Sequence, residues 1–300
     1  MISKIGWEEY KRICRMNPST LVSGVKSMKS LKRAIDGGFK EPTDPMRMGS
    51  GTHCLLLEPE QFEERYCVIP DFHKSPENVT AQGKPTDSKA TTYYKNAVKE
   101  FAKSNSGREF VSRDQYDTML HAIEALRSHG EASRLTESCG DNRELTVFGE
   151  ISGVEMKGRI DALSPQCIVD LKTTVSVEPA QFGRMFANLH YGIKLAIYRE
   201  LIRQSTANRP VVVIAQELSG DYDTVVYDVP DCVLDNGLIK TKRILEDYKH
   251  AMKTSEWVGV DRGQTRVPLL VPQWAMEDSG DELVEWSEVP EFSSQTEAVF

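Results

Sequence analysis

The stretch Gly158-Arg159-Ile160-Asp161-Ala162-Leu163, followed after a short gap by Ile168-Val169-Asp170-Leu171-Lys172-Thr173-Thr174, most constrains what this chain can fold into. The gap holds Ser164-Pro165-Gln166, and two β-rich runs around such turn formers predict a β-hairpin. Side chains alternate across a strand, so Asp170 and Lys172 share a face. Asp161 comes from the partner strand and sits beside them, with apolar Ile168, Val169 and Leu171 around. Two carboxylates held that close repel, and one keeps a proton unless a cation lies between them. A divalent metal is the simplest such cation. Carboxylate oxygens suit Mg²⁺, with Mn²⁺ as its substitute, better than zinc, which prefers Cys and His. The plain alternative is a solvated hairpin whose strand happens to alternate in charge.

At 300 residues the chain suits one large domain or two small ones. It has no run of about 18 apolar residues, so no membrane span is predicted. The N-terminal MISKIGWEEYKRICRM lacks a signal-peptide core. Cys14, Cys54, Cys67, Cys139, Cys167 and Cys232 form no C-x-x-C pair, which argues against zinc and against an iron–sulfur cluster. They read as reduced thiols in a cytoplasmic protein. The net charge of −8 is unevenly placed: eight acidic residues and no Lys or Arg follow Arg266, so the preceding residues are neutral overall. Met1–Arg47 holds ten Lys or Arg against five Asp or Glu. Phosphate binding needs a local basic patch rather than a basic total, so nucleic acid remains open as a partner. The acidic tail reads first as a solvated segment.

Periodicity predicts a helix over Ser19–Ile35, capped by Ser19 or Thr20 and ended by Gly37-Gly38. A second helix runs from Met46 to Leu57, where Gly49, Ser50 and Gly51 would admit another backbone. Further helices are predicted at Thr91–Lys103 and at Ser112–His129, the latter opened by the capping box Ser112-Arg113-Asp114-Gln115. A β meander follows: Glu144–Ile151, a Ser152-Gly153 turn, Val154–Leu163 and Cys167–Leu171. Helices at Pro179–Asn188 and Tyr191–Gln204, strands at Val211–Glu217 and Thr224–Val229, and a helix at Asp231–Met252 complete the pattern. This order predicts an α/β fold with a mixed central sheet flanked by helices, preceded by a helical region. One domain over residues 1–255, mainly helical to 140 with the catalytic sheet at 141–255, would precede an acidic, partly flexible extension at 256–300.

Other residues can join the motif. His53 lies mid-helix among Cys54, Leu55, Leu56 and Leu57, and is either a core histidine or a neutral imidazole ligand. Glu144, Glu150 and Glu155 each offer one more carboxylate. Tyr191, Lys194 and Tyr198 fall on one side of a helix and could contact phosphate. Lys29, Lys32 and Arg33, with Lys26, form a basic helix face that could do the same.

Four segments resemble the RecE-like, exodeoxyribonuclease VIII-type branch of the PD-(D/E)XK nuclease superfamily. They are Met48-Gly49-Ser50-Gly51-Thr52-His53 with Leu55-Leu56-Leu57-Glu58-Pro59; Glu144; the Asp161/Asp170/Lys172 core with Thr173-Thr174; and Tyr191 to Tyr198. Ile160 stands where the superfamily usually has Pro, and Lys194 where this branch has Gln. The resemblance implies a restriction-endonuclease-like core with Asp161, Asp170 and Lys172 catalytic. It implies one or two Mg²⁺ held by Asp161, Asp170 and the Leu171 carbonyl, with His53 and Glu144 completing the shell. It also implies an exonuclease acting on double-stranded DNA ends, 5′-to-3′, in phage-type recombination in the host cytoplasm. Such enzymes work beside a single-strand annealing protein, and some relatives form ring-shaped homo-oligomers. The alternatives are an endonuclease or repair-associated nuclease of the superfamily, and a non-catalytic DNA-end-binding protein.

Overall fold

The computed structural model describes residues 1–37, 43–269 and 271. A short strand β1 (Ile2–Ser3) precedes helices α1 (Trp7–Arg12), α2 (Pro18–Val22), α3 (Met28–Ile35), α4 (Asp44–Leu57) and α5 (Phe62–Arg65). Strand β2 (Tyr66–Val68), helix α6 (Thr92–Ser104), strand β3 (Glu109–Val111) and helices α7 (Arg113–Ser128) and α8 (Gly130–Ser138) follow. Then come β4 (Arg143–Ile151), β5 (Val154–Leu163), β6 (Ile168–Thr174), α9 (Pro179–Asn188), α10 (Tyr191–Arg203), β7 (Val211–Glu217), β8 (Thr224–Val229) and α11 (Asp231–Thr254). The chain divides into two units, Met1–Val260 and Asp261–Phe300, and all these elements belong to the first. Gly38 and the acidic residues from Glu277 onward lie outside the described residues. Among the described residues, no helix is long and apolar enough to cross a membrane.

The main sheet has the order β1-β4-β5-β6-β7-β8, antiparallel except for the parallel β6–β7 pair. Parallel pairing requires a crossover, which α9 and α10 supply. One face packs through Ile160, Ile168 and Val213 against α2, α3, α9, α10 and α11. The other packs through Ala162, Val169, Leu171 and Ile214 against α4, α7 and α8. With both faces covered, β7 reads as a nearly continuous apolar run, Val211 to Ala215. Each buried aliphatic side chain there contributes about 1.5–3 kcal/mol. This is the mixed α/β architecture that the element order predicts.

Local chemistry sets the turns. Ser152 and Gly153 both have positive φ, 51° and 75°, as a two-residue hairpin turn requires. Ser164 Oγ accepts the Gln166 and Cys167 N–H groups at 3.1 and 2.9 Å and so closes the β5–β6 turn. The capping box at Ser112 and Gln115 forms as predicted. The single helix predicted over Ser19–Ile35 does not form. Asn17, not Ser19 or Thr20, caps α2, and a 3-10 turn at Ser23–Val25 interrupts the pattern. Gly24 is pressed against α11, where an added Cβ would meet Ile244 Cγ2 at 2.6 Å, and Ser27 caps a new helix by accepting the Ser30 N–H. Val25 and Ile35, which a single helix would line up with Leu21, Met28 and Leu31, are consequently exposed. Helices α1 and α8 and strands β1 and β3 carry no clear sequence signal, because each is short or, for α8, opens at Gly130, which reads as a stop.

Candidate active site

The two strands that carry the motif part where the motif sits. β5 pairs with β6 only at Ala162↔Val169 and Leu163↔Ile168. Asp161 Oδ2 accepts the Leu171 N–H at 2.7 Å, doing the work of a strand carbonyl. The β4–β5 ladder also skips a rung here: it passes from Arg143↔Ala162 to Leu145↔Ile160, leaving out Glu144 and Asp161. Glu144 has φ +52°. A side chain in that left-handed region costs on the order of 1–3 kcal/mol, a strain that clusters at functional sites. The missing rung frees both carboxylates to point at one place.

His53 reaches that place from α4, with Nδ1 3.6 Å from Asp161 Oδ2. One ligand atom each from His53, Glu144 and Asp161 all lie within 4.8 Å of one another. Asp170 is 3% exposed and forms an ion pair with Lys172, whose Nζ also donates to the Leu171 carbonyl at 3.1 Å. Glycine lets α4 come close, though it admits side chains rather than backbone. A Cβ on Gly49 would meet Thr173 Oγ1 at 2.8 Å, and one on Gly51 would meet Met119 Sδ at 2.9 Å. Of the three strand glutamates, only Glu144 joins the group. Glu150 and Glu155 pair with each other at the far end of the hairpin, and Glu155 binds Arg15 at 2.8 Å.

Two further residues hold this arrangement, and the sequence reading missed both. Arg159 bonds Glu144 through Nε and Glu58 Oε1 through Nη2 at 3.0 Å, and donates to the Ile5 carbonyl at 2.9 Å. Glu58 is 4% exposed and also pairs with Arg65 at 3.2 Å. Arg159 is one of four alternating charges on β5, with Glu155, Lys157 and Asp161, and nothing in that pattern singles it out.

From α10, Lys194 Nζ lies 5.3 Å from the Tyr191 ring centroid, and Lys172 Nζ lies 5.1 Å from it. Tyr198 packs over Gly158, where an added Cβ would stand 2.9 Å from the ring. Tyr191, Lys194 and Tyr198 therefore face the motif. Lys29, Lys32 and Arg33 do not join it. They sit on α3, which packs against α11, and Lys32 is taken up by Asp36 at 2.6 Å and by the Trp257 ring.

Burial dominates the electrostatics. It raises the Glu144 carboxyl to about 7, helped by the Asp161 charge and opposed by Arg159. It also raises Asp161, against Lys172, the Leu171 N–H and Arg159. Burial, then Lys172, lowers His53 to about 4, so its imidazole is neutral. Burial alone would lower Lys172 too, but Asp170 and Asp161 more than offset it and hold the ammonium above its ordinary value. Near neutral pH the Glu144–Asp161 pair thus retains a proton that a cation could displace. Two carboxylates, a neutral imidazole and the adjacent Leu171 carbonyl form an oxygen-rich donor set that fits a hard divalent ion.

Parting strands with an Asp, an Asp-x-Lys pair and helices on both faces define a nuclease-type core of the PD-(D/E)XK class. Residues 18–260 match the family described as a PDDEXK-like domain of unknown function (DUF3799), and the chain belongs to that family. The crystal structure of a candidate exonuclease from Eubacterium rectale superposes with a TM-score of 0.55 at 16% identity, covering 90% of this chain and 96% of that one. At that identity the likeness is one of fold. A second solved structure, SSO0001, gives a TM-score of 0.29 at 18% identity over 67% of this chain and 85% of that one, which carries no argument. No curated protein matches the sequence.

Proposed function

We propose that the protein is a divalent-metal-dependent deoxyribonuclease that degrades duplex DNA from its ends. The observation that carries this reading is the convergence of His53, Glu144 and Asp161 beside the Asp170–Lys172 pair, where β5 and β6 part. The Eubacterium rectale neighbour bears an exonuclease name, and the RecE-type resemblance supports the same specificity, with 5′-to-3′ polarity and a recombination role beside an annealing protein.

His53, Glu144 and Asp161 would hold the cation, Mg²⁺ by preference, with Asp170 and the Leu171 carbonyl adjoining. When bound, it supplies Lewis-acid activation of water and offsets phosphodiester charge. Lys172, kept protonated by its carboxylates, is a donor and not a base: it orients a water or holds a phosphate oxygen as charge develops. His53, kept neutral, offers a lone pair rather than a competing charge. Tyr191 and Lys194 position the neighbouring backbone without reading sequence.

Linear duplex labelled at one 5′ end tests this with Mg²⁺, Mn²⁺ or EDTA, beside closed circular DNA. The expected result is metal-dependent loss of the linear form, early release of label, intact circles and no digestion by Lys172→Ala. Nicking of closed circles would replace the exonuclease reading with an endonuclease. Survival of linear DNA in both metals would sink hydrolysis altogether and leave DNA-end binding.

A further inference from the structure

The sheet row that contains Asp170 continues past the site. In register, Asp170 pairs with Val213 on β7, and Val213 with Tyr227 on β8. Cross-strand partners point to the same side, and strands lie about 4.8 Å apart, so Val213 and Tyr227 sit roughly 5 and 10 Å along from Asp170. Both line a cavity of about 640 Å³ to which α9, α10 and α11 also contribute.

The cavity is aromatic, and Lys240 is the cation among its lining residues. Phe182 stacks on Tyr227 with centroids 5.0 Å apart, and Phe186 meets Tyr191 edge-on at 5.8 Å. Tyr191 is the ring that lies against Lys172 and Lys194. His190 and Lys240 line the cavity, with Asp228 as the carboxylate among its lining residues. Burial and neighbouring ammonium groups act on the basic residues around the cavity, and they keep the His190 imidazole neutral near neutral pH. Burial and then Lys172 hold Lys194 below its ordinary value, and burial, Lys240 and Lys194 do the same for His190. Gly183 of α9 also lines the space, and a Cβ there would meet nothing within 4 Å.

We infer that this cavity is a nucleotide subsite, holding an unpaired base against Phe186 and Tyr227 and its phosphate against Lys240, with His190 beside it as a hydrogen-bonding group. The inference rests on the nuclease reading of the neighbouring site. Ring walls with flanking cations hold single strands irrespective of sequence, because every base has a face to stack. A base paired inside a duplex cannot present its face to these rings. The occupant is therefore the frayed end of a strand or a released mononucleotide, which share the same chemistry.

The test is binding of a labelled short oligothymidylate to the full chain in EDTA, read by fluorescence anisotropy. Gly183→Leu places a side chain at the cavity wall and replaces a glycine within a helix, so its melting temperature should not fall. Its affinity should drop about tenfold, the worth of one stacked base. Phe186→Ala, which removes a wall, should weaken binding similarly and serves if Gly183→Leu does not fold. Displacement of the oligomer by thymidine monophosphate would assign the site to the released product, and binding of the oligomer alone to the strand. Wild-type affinity in both folded variants, or no binding by the wild type, would overturn the subsite. No metal or cleavage enters this assay, so failure of the nuclease reading shows separately, as survival of linear duplex in Mg²⁺ and Mn²⁺.

Discussion

Lys172 and Glu144 illustrate how the same burial has opposite outcomes in one place. Lys172 keeps its charge because carboxylates flank it, whereas Glu144 is held neutral up to about pH 7 because its nearest acidic neighbour is Asp161. Cation binding must displace the Glu144 proton. Affinity should therefore fall as pH drops through about 7, by roughly tenfold per unit, and level off above it. Calorimetry with Mn²⁺ at about pH 6 and about pH 8, in buffers of different ionisation enthalpy, checks this through the protons released. Glu144→Gln should bind more weakly and lose the pH step; a step that persists in that variant belongs to another group. Lys172→Ala and Asp161→Asn should each lower cleavage by at least about 10²-fold with the circular dichroism spectrum unchanged. Asp161, Asp170 and Lys172 were legible in the sequence because one hairpin brings them together locally. Arg159 and Glu58 were not, because their ion pair spans 101 residues and leaves no periodicity.

At the scale of elements, the site is a junction of α4, β4, β5 and β6, fixed by a buried ion network. Arg159 side-chain exposure is 8% and that of Glu58 is 5%. Arg159→Met would leave the buried Glu144 without its ion-pair partner and Glu58 with Arg65 alone, so it should cost about 3–5 kcal/mol, seen as a lower denaturation midpoint. Glu144 should titrate still higher in that variant, because Arg159 is what holds it down. A midpoint within experimental error of wild type would show that the network is solvated. Strand and helix types in the second half of the chain were legible from period and turn chemistry. The break between α2 and α3 was not, since it depends on Gly24 meeting Ile244 of α11, a contact that no local pattern encodes.

Across the whole molecule, the N-terminal segment ahead of residue 18 stands outside the family match yet braces the centre of the sheet. Lys157, 4% exposed on β5, donates to the carbonyls of Tyr10 at 2.7 Å and Ile13 at 2.8 Å. Ile5 does the same service for Arg159. Met16 bridges to β5 through backbone bonds with Glu155 and Lys157. Removing residues 1–16 leaves two buried cations short of acceptors and should lower stability by about 3–5 kcal/mol, measured by urea denaturation. A truncated chain as stable as the full one would make the segment dispensable. The sheet order was not legible, because strand neighbours are chosen by long-range packing that single-strand patterns do not record.

The bond from the Leu171 amide to Asp161 gives this protein a built-in gauge. Most strand amides answer to a neutral carbonyl whose charge never changes; this one answers to a carboxylate that a proton or a cation can claim. Its proton resonance should move when diamagnetic Mg²⁺ is added, and move in the same direction on acidification, because either ligand weakens the carboxylate as an acceptor, while the amides of Val169 and Thr173 stay nearly still. One signal in a nitrogen–proton correlation spectrum would then report how the centre is filled, with no DNA in the tube and no bond cut.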